Sequence, residues 1–161
     1  MSGDNPGSGP CMVVVGDRQS EFVRTAIGLA EERSLEAVVC DDLWMAVAET
    51  ARANGRCLLV VGALEALSAE EGRFFRIAAA RRIRCCCVLR ASAVHERSGL
   101  LHALRAGAAV VSQEDLRDVL GSWLAVGGGH HSRRTSSGIA DDELRPTREE
   151  LIALLGPETD A

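Results

Sequence analysis

The sequence predicts a three-layer α/β domain, in which helices cover both faces of a doubly wound parallel sheet of five strands. Short apolar segments alternate five times with longer amphipathic ones between Cys11 and Ala125, which is the pattern of repeated βα units. Nearly all the short segments are continuously apolar, as expected of strands that are buried on both faces. A chain of 161 residues has room for one such domain and little else.

The strands and helices follow from these segments. The predicted strands are Met12–Val15, Leu35–Cys40, Cys57–Val61, Arg84–Leu89 and Ala108–Val111. The predicted helices are Gln19–Glu32, Asp42–Ala53 after a cap at Asp41, a third that begins at a capping box of Ser68 and Glu71, Val94–Ala106, and a fifth that follows Ser112. Right-handed crossovers between the strands then give the three layers.

The segments outside the domain differ in composition. Residues 1–10 are polar and rich in glycine and predict a disordered leader, whereas residues 126–146 have the Gly, Ser and charge content of a flexible linker. Residues 147–156, TREELIALLG, predict a short amphipathic helix, with a Thr147/Glu150 capping box and a stop at Gly156-Pro157. Residues 157–161 form a terminal tail.

Composition excludes several classes of function. The net charge is −5, and the 18 basic residues are all arginine. The absence of lysine excludes Schiff-base chemistry and a phosphate-loop lysine, and the acidic balance disfavours nucleic acid as a partner. No apolar run approaches the roughly 20 residues of a membrane span, and the N-terminus lacks the features of a secretory signal. We therefore expect a cytoplasmic protein without a membrane partner.

The cysteines and histidines do not predict a metal site. All six cysteines lie in or beside apolar runs, without a C-x-x-C spacing, which favours reduced thiols packed in the core. Cys85, Cys86 and Cys87 alternate across a strand and cannot all bind one metal. His95 and His102 lie about 10 Å apart along a helix, too far for one zinc.

Parallel sheets of this kind collect their chemistry at the carboxyl ends of the strands. The residues expected there form a candidate pocket: Gly16, Asp17, Gly62, Arg90, Ser92, Ser112 and Gln113. The simplest interpretation of the acidic member, Asp17, is a helix cap without chemistry.

The region 11–125 resembles the receiver domain of bacterial two-component response regulators. The resemblance is carried by VVVGDR at 13–18 before an amphipathic helix, by the apolar third strand that ends at Gly62, and by ALRAGAAVVSQEDL at 103–116. It implies a flavodoxin-like sheet with the strand order 2-1-3-4-5.

An active receiver needs two acidic residues after strand one, an acceptor Asp after strand three, a Ser or Thr after strand four and a Lys after strand five. Asp17 alone matches. The chain has Gly16 at the first acidic position, Gly62 at the acceptor position, Arg90 or Ser92 near the hydroxyl position and Ser112 or Gln113 at the lysine position. One carboxylate cannot build that Mg²⁺ site, so the resemblance implies a degenerate receiver without aspartyl phosphorylation or a cofactor.

The segment 147–156 resembles the short peptide of the flagellar motor switch protein that docks on a receiver. The matching residues are Glu150, Leu151, Ala153, Leu154 and Leu155. Leucines on one helical face suit the surface formed by the helix after strand four, strand five and the helix after it, on this chain or on a partner. A final helix packed on its own core, or a frayed end, is the alternative.

These observations favour a non-enzymatic signalling or scaffold protein that acts through protein contacts. The alternative is a flavodoxin-like domain that binds a small ligand or nucleotide at the strand ends. A DNA-associated regulator is a third interpretation, disfavoured because the residues after Ala125 leave no room for an output domain. The apolar stripe of the last domain helix either mediates a homodimer or is covered by the sheet.

Two arginine-containing segments offer further candidates. Arg81, Arg82, Arg84 and Arg90 suggest a basic cluster around strand four that would meet an acidic partner or a phosphate, or else a solvated helix end. RRTSS at 133–137 resembles a basic-directed kinase site, although serine and arginine also serve solvation alone in linkers.

Overall fold

The computed structural model describes residues 9–91 and 97–126. Val126 also ends the first of the two compact units into which the chain divides, 1–126 and 127–161, and the fold described below is that of the first unit. The predicted linker begins one residue too early, because Val126 is the last residue of helix Leu116–Val126. The leader up to residue 8, the rest of the linker with its RRTSS segment, the 147–156 segment and the tail lie outside the described residues.

Five parallel strands form one sheet in the order β2-β1-β3-β4-β5, so the predicted fold class and strand order are confirmed. The strands are β1 (Cys11–Val15), β2 (Glu36–Cys40), β3 (Cys57–Ala63), β4 (Arg84–Leu89) and β5 (Ala109–Ser112). The strands predicted at these five places differ in their ends by two residues at most.

Six helices are described: α1 (Glu21–Glu32), α2 (Leu43–Arg52), α3 (Leu64–Leu67), α4 (Ala69–Ala80), α5 (Arg97–Arg105) and α6 (Leu116–Val126). Side chains of α1 and α6 bury one face of the sheet, and side chains of α2 to α5 bury the other. The sheet is therefore the middle of three layers, and both of its faces are apolar. None of the helices within the described ranges has the length and apolar character needed to cross a membrane.

The three consecutive cysteines of β4 alternate across the sheet as predicted. Cys85 and Cys87 belong to the apolar cluster under α2 to α5, and Cys86 belongs to the cluster under α1 and α6. In β3, the pairing with β1 shifts by one residue after Cys57. Leu58 is consequently exposed in an otherwise buried strand.

The predicted cap of α2 is wrong by one residue. Asp42, not Asp41, is the N-cap, and its Oδ1 accepts a hydrogen bond of 2.8 Å from the Met45 N–H. The backbone of Asp42 is extended, as an N-cap requires before the helical residues begin.

Ser112, which the predicted fifth helix follows, caps the turn before α6. Ser112 Oγ accepts from the Asp115 N–H at 3.2 Å and donates to Asp115 Oδ2 at 2.7 Å. Ser112 itself is the last residue of β5 rather than the first residue after it.

The Ser68/Glu71 capping box is a wrong prediction. The unpredicted helix α3 already runs up to Ser68, whose backbone is in the right-handed helical region and whose side chain makes no capping bond. Glu70, Glu71 and Gly72 then adopt left-handed φ values of 54°, 55° and 68°. Gly72 is required there, because an added Cβ would lie 2.7 Å from His102 Cβ on α5.

Candidate functional site

The site predicted from the strand ends lies at the carboxyl edge of the sheet. Val15, which precedes Gly16 and Asp17, pairs with Gly62 of β3. Gly62 pairs in turn with Cys87 of β4, and Leu89, which precedes Arg90, pairs with Ser112 of β5. The structure therefore brings the described candidates to one edge. Ser92 lies outside the described residues.

Gly16 faces a side chain rather than an open cavity. A Cβ at this position would lie 2.8 Å from Phe22 Cζ and 3.1 Å from Val23 Cγ2 of α1. Phe22 and Val23 are themselves buried, so neither ring nor methyl group can withdraw to solvent without opening the core. Glycine at position 16 is thus part of the packing of α1 on the sheet.

Gly62 is covered by side chains on the opposite face of the sheet, the face that packs under α2 to α5. An added Cβ would lie 3.0 Å from two atoms of the Leu67 side chain and 3.2 Å from Val15 Cβ. Leu67 is fully buried at the end of α3. Because α3 follows β3 directly, this short helix places Leu67 over the position where the receiver resemblance would put an acceptor carboxylate.

Asp17 caps a turn. Its Oδ1 accepts from the Gln19 N–H at 2.8 Å, and its carbonyl oxygen accepts from the Ser20 N–H at 2.9 Å. These bonds satisfy backbone donors ahead of α1. The side chain is exposed. The predicted helix cap is wrong by three residues, because the N-cap of α1 is Ser20; Asp17 caps the turn before it.

The remaining polar candidates are paired with acidic side chains that sequence reasoning missed. Arg90 forms an ion pair with Glu65 of α3. Gln113 Nε2 donates to Glu21 Oε2 of α1 at 2.6 Å. Such pairs join residues 25 and 92 positions apart, and nothing in local sequence patterns signals them. They tie β4 to α3 and β5 to α1 at the carboxyl edge.

Metal-binding groups are not assembled in the part of the chain that the structure describes: residues 9–91 and 97–126 contain no cluster of three or more His, Cys, Asp or Glu suited to a metal. His95 lies outside those ranges. His102 is half-buried on α5 and lines a groove of ≈ 790 Å³ against α4, together with Glu71, Arg76 and Arg105.

The cysteines are unpaired and buried. Burial raises the pKa of the Cys57, Cys85 and Cys86 thiols from 9.0 to about 12. The pKa of Cys11, Cys40 and Cys87 is raised by the same cause. Thiolates are the reactive form of cysteine, so this arrangement favours the packing interpretation over redox chemistry.

The predicted basic cluster around strand four is not one cluster. Arg81, Arg82 and Arg84 lie at the start of β4, whereas Arg90 follows its end, about 20 Å away for a strand of this length. Arg84 lies with its Cζ 5.5 Å from the ring centre of Trp123 on α6. The arginines at the start of β4 and the arginine after its end therefore lie in different environments.

A separate groove lies at the amino edge of the sheet, on the side opposite the carboxyl ends of the strands. This amino-edge groove has a volume of ≈ 410 Å³. Two arginines and eight other residues line it: Phe75, Ala79, Arg82, Ile83, Arg84, Cys85, Ala106, Gly107, Ala108 and Trp123. The sequence analysis singled out only Arg82 and Arg84 of this lining, as part of the predicted basic cluster, because the other walls come from α4, α6 and the turns before β4 and β5.

Comparison with known proteins identifies no relative for this chain. No protein-family model matches it, and no curated protein matches it. Among solved structures, the chain is similar to a de novo designed Rossmann 2x3 fold protein determined by solution NMR. The two are 14% identical, the match covers 78% of this chain and 98% of the designed one, and the TM-score is 0.49.

Proposed function

We propose that this chain is a phosphorylation-independent, receiver-like signalling or scaffold protein that acts by binding other proteins. The observation that carries the proposal is the filling of the two strand-end positions by Phe22 over Gly16 and by Leu67 over Gly62. The receiver resemblance places carboxylates at both positions. In this chain apolar side chains occupy that space. The space that holds the reaction centre in a receiver is therefore part of the hydrophobic core here.

The groups around these glycines support the same proposal. Phosphoryl transfer requires positive charge near the transferred group, and the chain contains no lysine. Gln113, which with Ser112 is one of the two candidates for the position of the family's lysine, is bonded to Glu21, and Arg90 is paired with Glu65. The polar side chains at this edge thus serve to hold α1 and α3 against the sheet.

A surface for a protein partner is provided by α5, β5 and α6. β5 is an edge strand, and within the described residues it pairs on one side only, with β4. Its Ala109 and Val110 are only half-buried, and unpaired edge strands readily accept another chain. The partner is a different protein or a second copy of this one. Residues 147–156 supply a second binding element in this proposal.

The direct test is labelling of the full chain with acetyl phosphate in the presence of Mg²⁺. We expect no hydroxylamine-labile label, because an acyl phosphate needs a carboxylate acceptor and a complete metal site. The matched control is Asp17→Asn, which removes the one carboxylate that the resemblance retains. A label present in the natural chain and absent from Asp17→Asn would overturn the proposal.

A thermal-shift screen with nucleotides and flavins distinguishes the proposed function from its alternative, a small-ligand site at the strand ends. A ligand that binds only the folded state raises the midpoint by an amount that grows with the logarithm of its concentration over its Kd. The proposal expects no shift with any of them. A saturable shift that is lost in Gln113→Ala would favour the ligand-binding domain instead.

A further inference from the structure

Two arginines give the amino-edge groove a positive charge that no described acidic side chain neutralises. Arg82 and Arg84 line the groove and are exposed, and neither forms an ion pair with a residue in the ranges 9–91 and 97–126. The described lining contains no Asp or Glu. The groove therefore has the charge of a site for an anion.

Aromatic and aliphatic side chains adjoin these arginines. Phe75 and Ile83 are buried, and Trp123 is half-buried. The Arg84 guanidinium carbon lies 5.5 Å from the centre of the Trp123 ring, so positive charge and aromatic surface are in contact. The volume of ≈ 410 Å³ is within the range of small-molecule sites, which combine apolar walls with a few polar groups.

The backbone at Arg82 is strained. Helix α4 ends in a Schellman motif, in which the Ile83 N–H donates to the Ala78 carbonyl at 2.9 Å and the Arg82 N–H donates to the Ala79 carbonyl at 3.1 Å. Arg82 takes the left-handed position of this motif, with a φ of 58°. Glycine is favoured at that position, because the Cβ of any other residue is crowded there.

Helix termination does not require an arginine at position 82. The same motif ends α1 at Ser34 and α5 at Gly107, both small residues. The positive charge that a helix C-terminus favours is already supplied by Arg81, the C-cap of α4. Strained residues of this kind cluster at binding sites, and the side chain of Arg82 lines the groove.

We propose that the amino-edge groove binds a small organic monoanion, an aromatic or aliphatic carboxylate or sulfonate. Its ring or chain packs on Phe75, Ile83 and Trp123. Its charged group accepts hydrogen bonds from Arg82 and Arg84. The described lining has no hydroxyl or carboxamide side chain to bind a sugar, so a nucleotide does not match this chemistry. The inference goes beyond the proposed function, because it uses neither the strand-end positions nor a protein partner.

Titration of the full chain with anilinonaphthalene sulfonate, an aromatic monoanion whose fluorescence rises on an apolar surface, tests the proposal. We expect saturable binding of one molecule per chain. Arg82→Gln and Arg84→Gln should each raise the Kd about tenfold, because the sulfonate loses a charged donor. The uncharged analogue N-phenylnaphthylamine should bind the natural chain and Arg82→Gln equally.

The matched control is Arg81→Gln. Arg81 is exposed and lies outside the lining of the groove, so its charge is screened from the site and the Kd should change by less than about twofold. Far-UV circular dichroism of each variant confirms that the fold is retained.

Arg82→Gly separates ligand binding from a structural role. Glycine relieves the left-handed strain, so the midpoint of urea unfolding should rise, while the Kd for the sulfonate rises as in Arg82→Gln. A lower midpoint together with an unchanged Kd would give Arg82 a structural role alone and would overturn the proposal.

Three further results would also overturn it. Equal Kd values in the natural chain and in both glutamine variants would show that the arginines do not hold the anion. Loss of binding in Gln113→Ala would assign the probe to the strand ends. A Kd that rises with protein concentration would assign the groove to a second copy of the chain. None of these results bears on acetyl phosphate labelling, so failure here is distinguishable from failure of the proposed function.

Discussion

Replacement of Gly62 by alanine should lower the free energy of unfolding by about 1 kcal/mol, because the new methyl group meets the Leu67 side chain at 3.0 Å and Leu67 must shift. Gly62→Asp should cost at least about 3 kcal/mol, since it adds a buried charge to the same overlap. Urea unfolding followed by far-UV circular dichroism measures both values.

The control for Gly62 is Gly28 in the middle of α1. A Cβ there meets nothing within 4 Å, so Gly28→Ala should stabilise the domain by about 0.5 to 1 kcal/mol through helix propensity alone. If Gly62→Asp were as stable as the natural chain, the strand-end position would be open, and the structural basis of the proposed function would be lost.

The buried thiols should make the domain less stable at alkaline pH. In the unfolded chain a cysteine loses its proton near pH 9, whereas the pKa of folded Cys57, Cys85 and Cys86 is about 12. Between these values the unfolded state binds fewer protons, so the free energy of unfolding falls as pH rises. Below pH 9 both states are protonated, and the thiol contribution is fully present.

Removal of one of these thiols isolates its effect. Cys86→Ala should reduce the slope of unfolding free energy against pH between pH 9 and 11 by up to about 1.4 kcal/mol per pH unit, whatever it does to stability at neutral pH. Urea unfolding at several pH values gives the slope. An unchanged slope would mean that Cys86 is already ionised or accessible in the folded protein.

The strand-end residues themselves were predictable, whereas their neighbours were not. Gly16 and Gly62 were found because the ends of apolar segments mark the carboxyl edge of a parallel sheet. Phe22 and Leu67, which fill the space above the two glycines, look like ordinary helix core residues in the sequence. Their effect depends on how closely a helix packs on the sheet, and no local pattern contains that distance.

At the scale of single elements, the cap of α2 makes the clearest prediction. Asp42→Ala should cost about 1 kcal/mol, because the Met45 N–H loses its side-chain acceptor. Asp41→Ala is the matched control, since Asp41 is exposed, and should change stability by less than about 0.5 kcal/mol. Thermal or urea unfolding gives both values. Equal effects would show that the two carboxylates share the helix terminus electrostatically, without a specific cap.

Apart from the one-residue error in the cap of α2, the helices were predictable from periodicity and capping residues except at the junction of α3 and α4. Ser68 and Glu71 have the spacing of a capping box, but the chain is already helical at Ser68. The side chain of Ser68 instead packs against α5, where a Cβ on Gly99 would lie 2.6 Å from its hydroxyl. Packing between helices thus overrides a local signal, and the left-handed residues Glu70 and Glu71 carry the resulting strain.

At the scale of the whole molecule, the sheet links two separate apolar clusters. One cluster contains Phe74 and Phe75 of α4, and the other contains Phe22 of α1 with Leu116 and Leu120 of α6. Consecutive residues of each central strand alternate between the clusters. Loss of a central strand therefore removes packing from both layers at once, so we expect the two layers to unfold together.

This shared sheet predicts a single cooperative unfolding transition, which the two tryptophans can test from opposite edges. Trp44 lies on α2, near the β2 edge, and Trp123 on α6 contacts Arg84 near the β5 edge. In Trp44→Phe and Trp123→Phe variants, the remaining tryptophan should report the same urea midpoint as far-UV circular dichroism of that variant. Trp123→Phe has its own midpoint, because it removes the contact with Arg84, so each comparison is made within one variant. Different midpoints for fluorescence and circular dichroism in either variant would mean that one edge unfolds separately, and that the two clusters are less coupled than their common strands require.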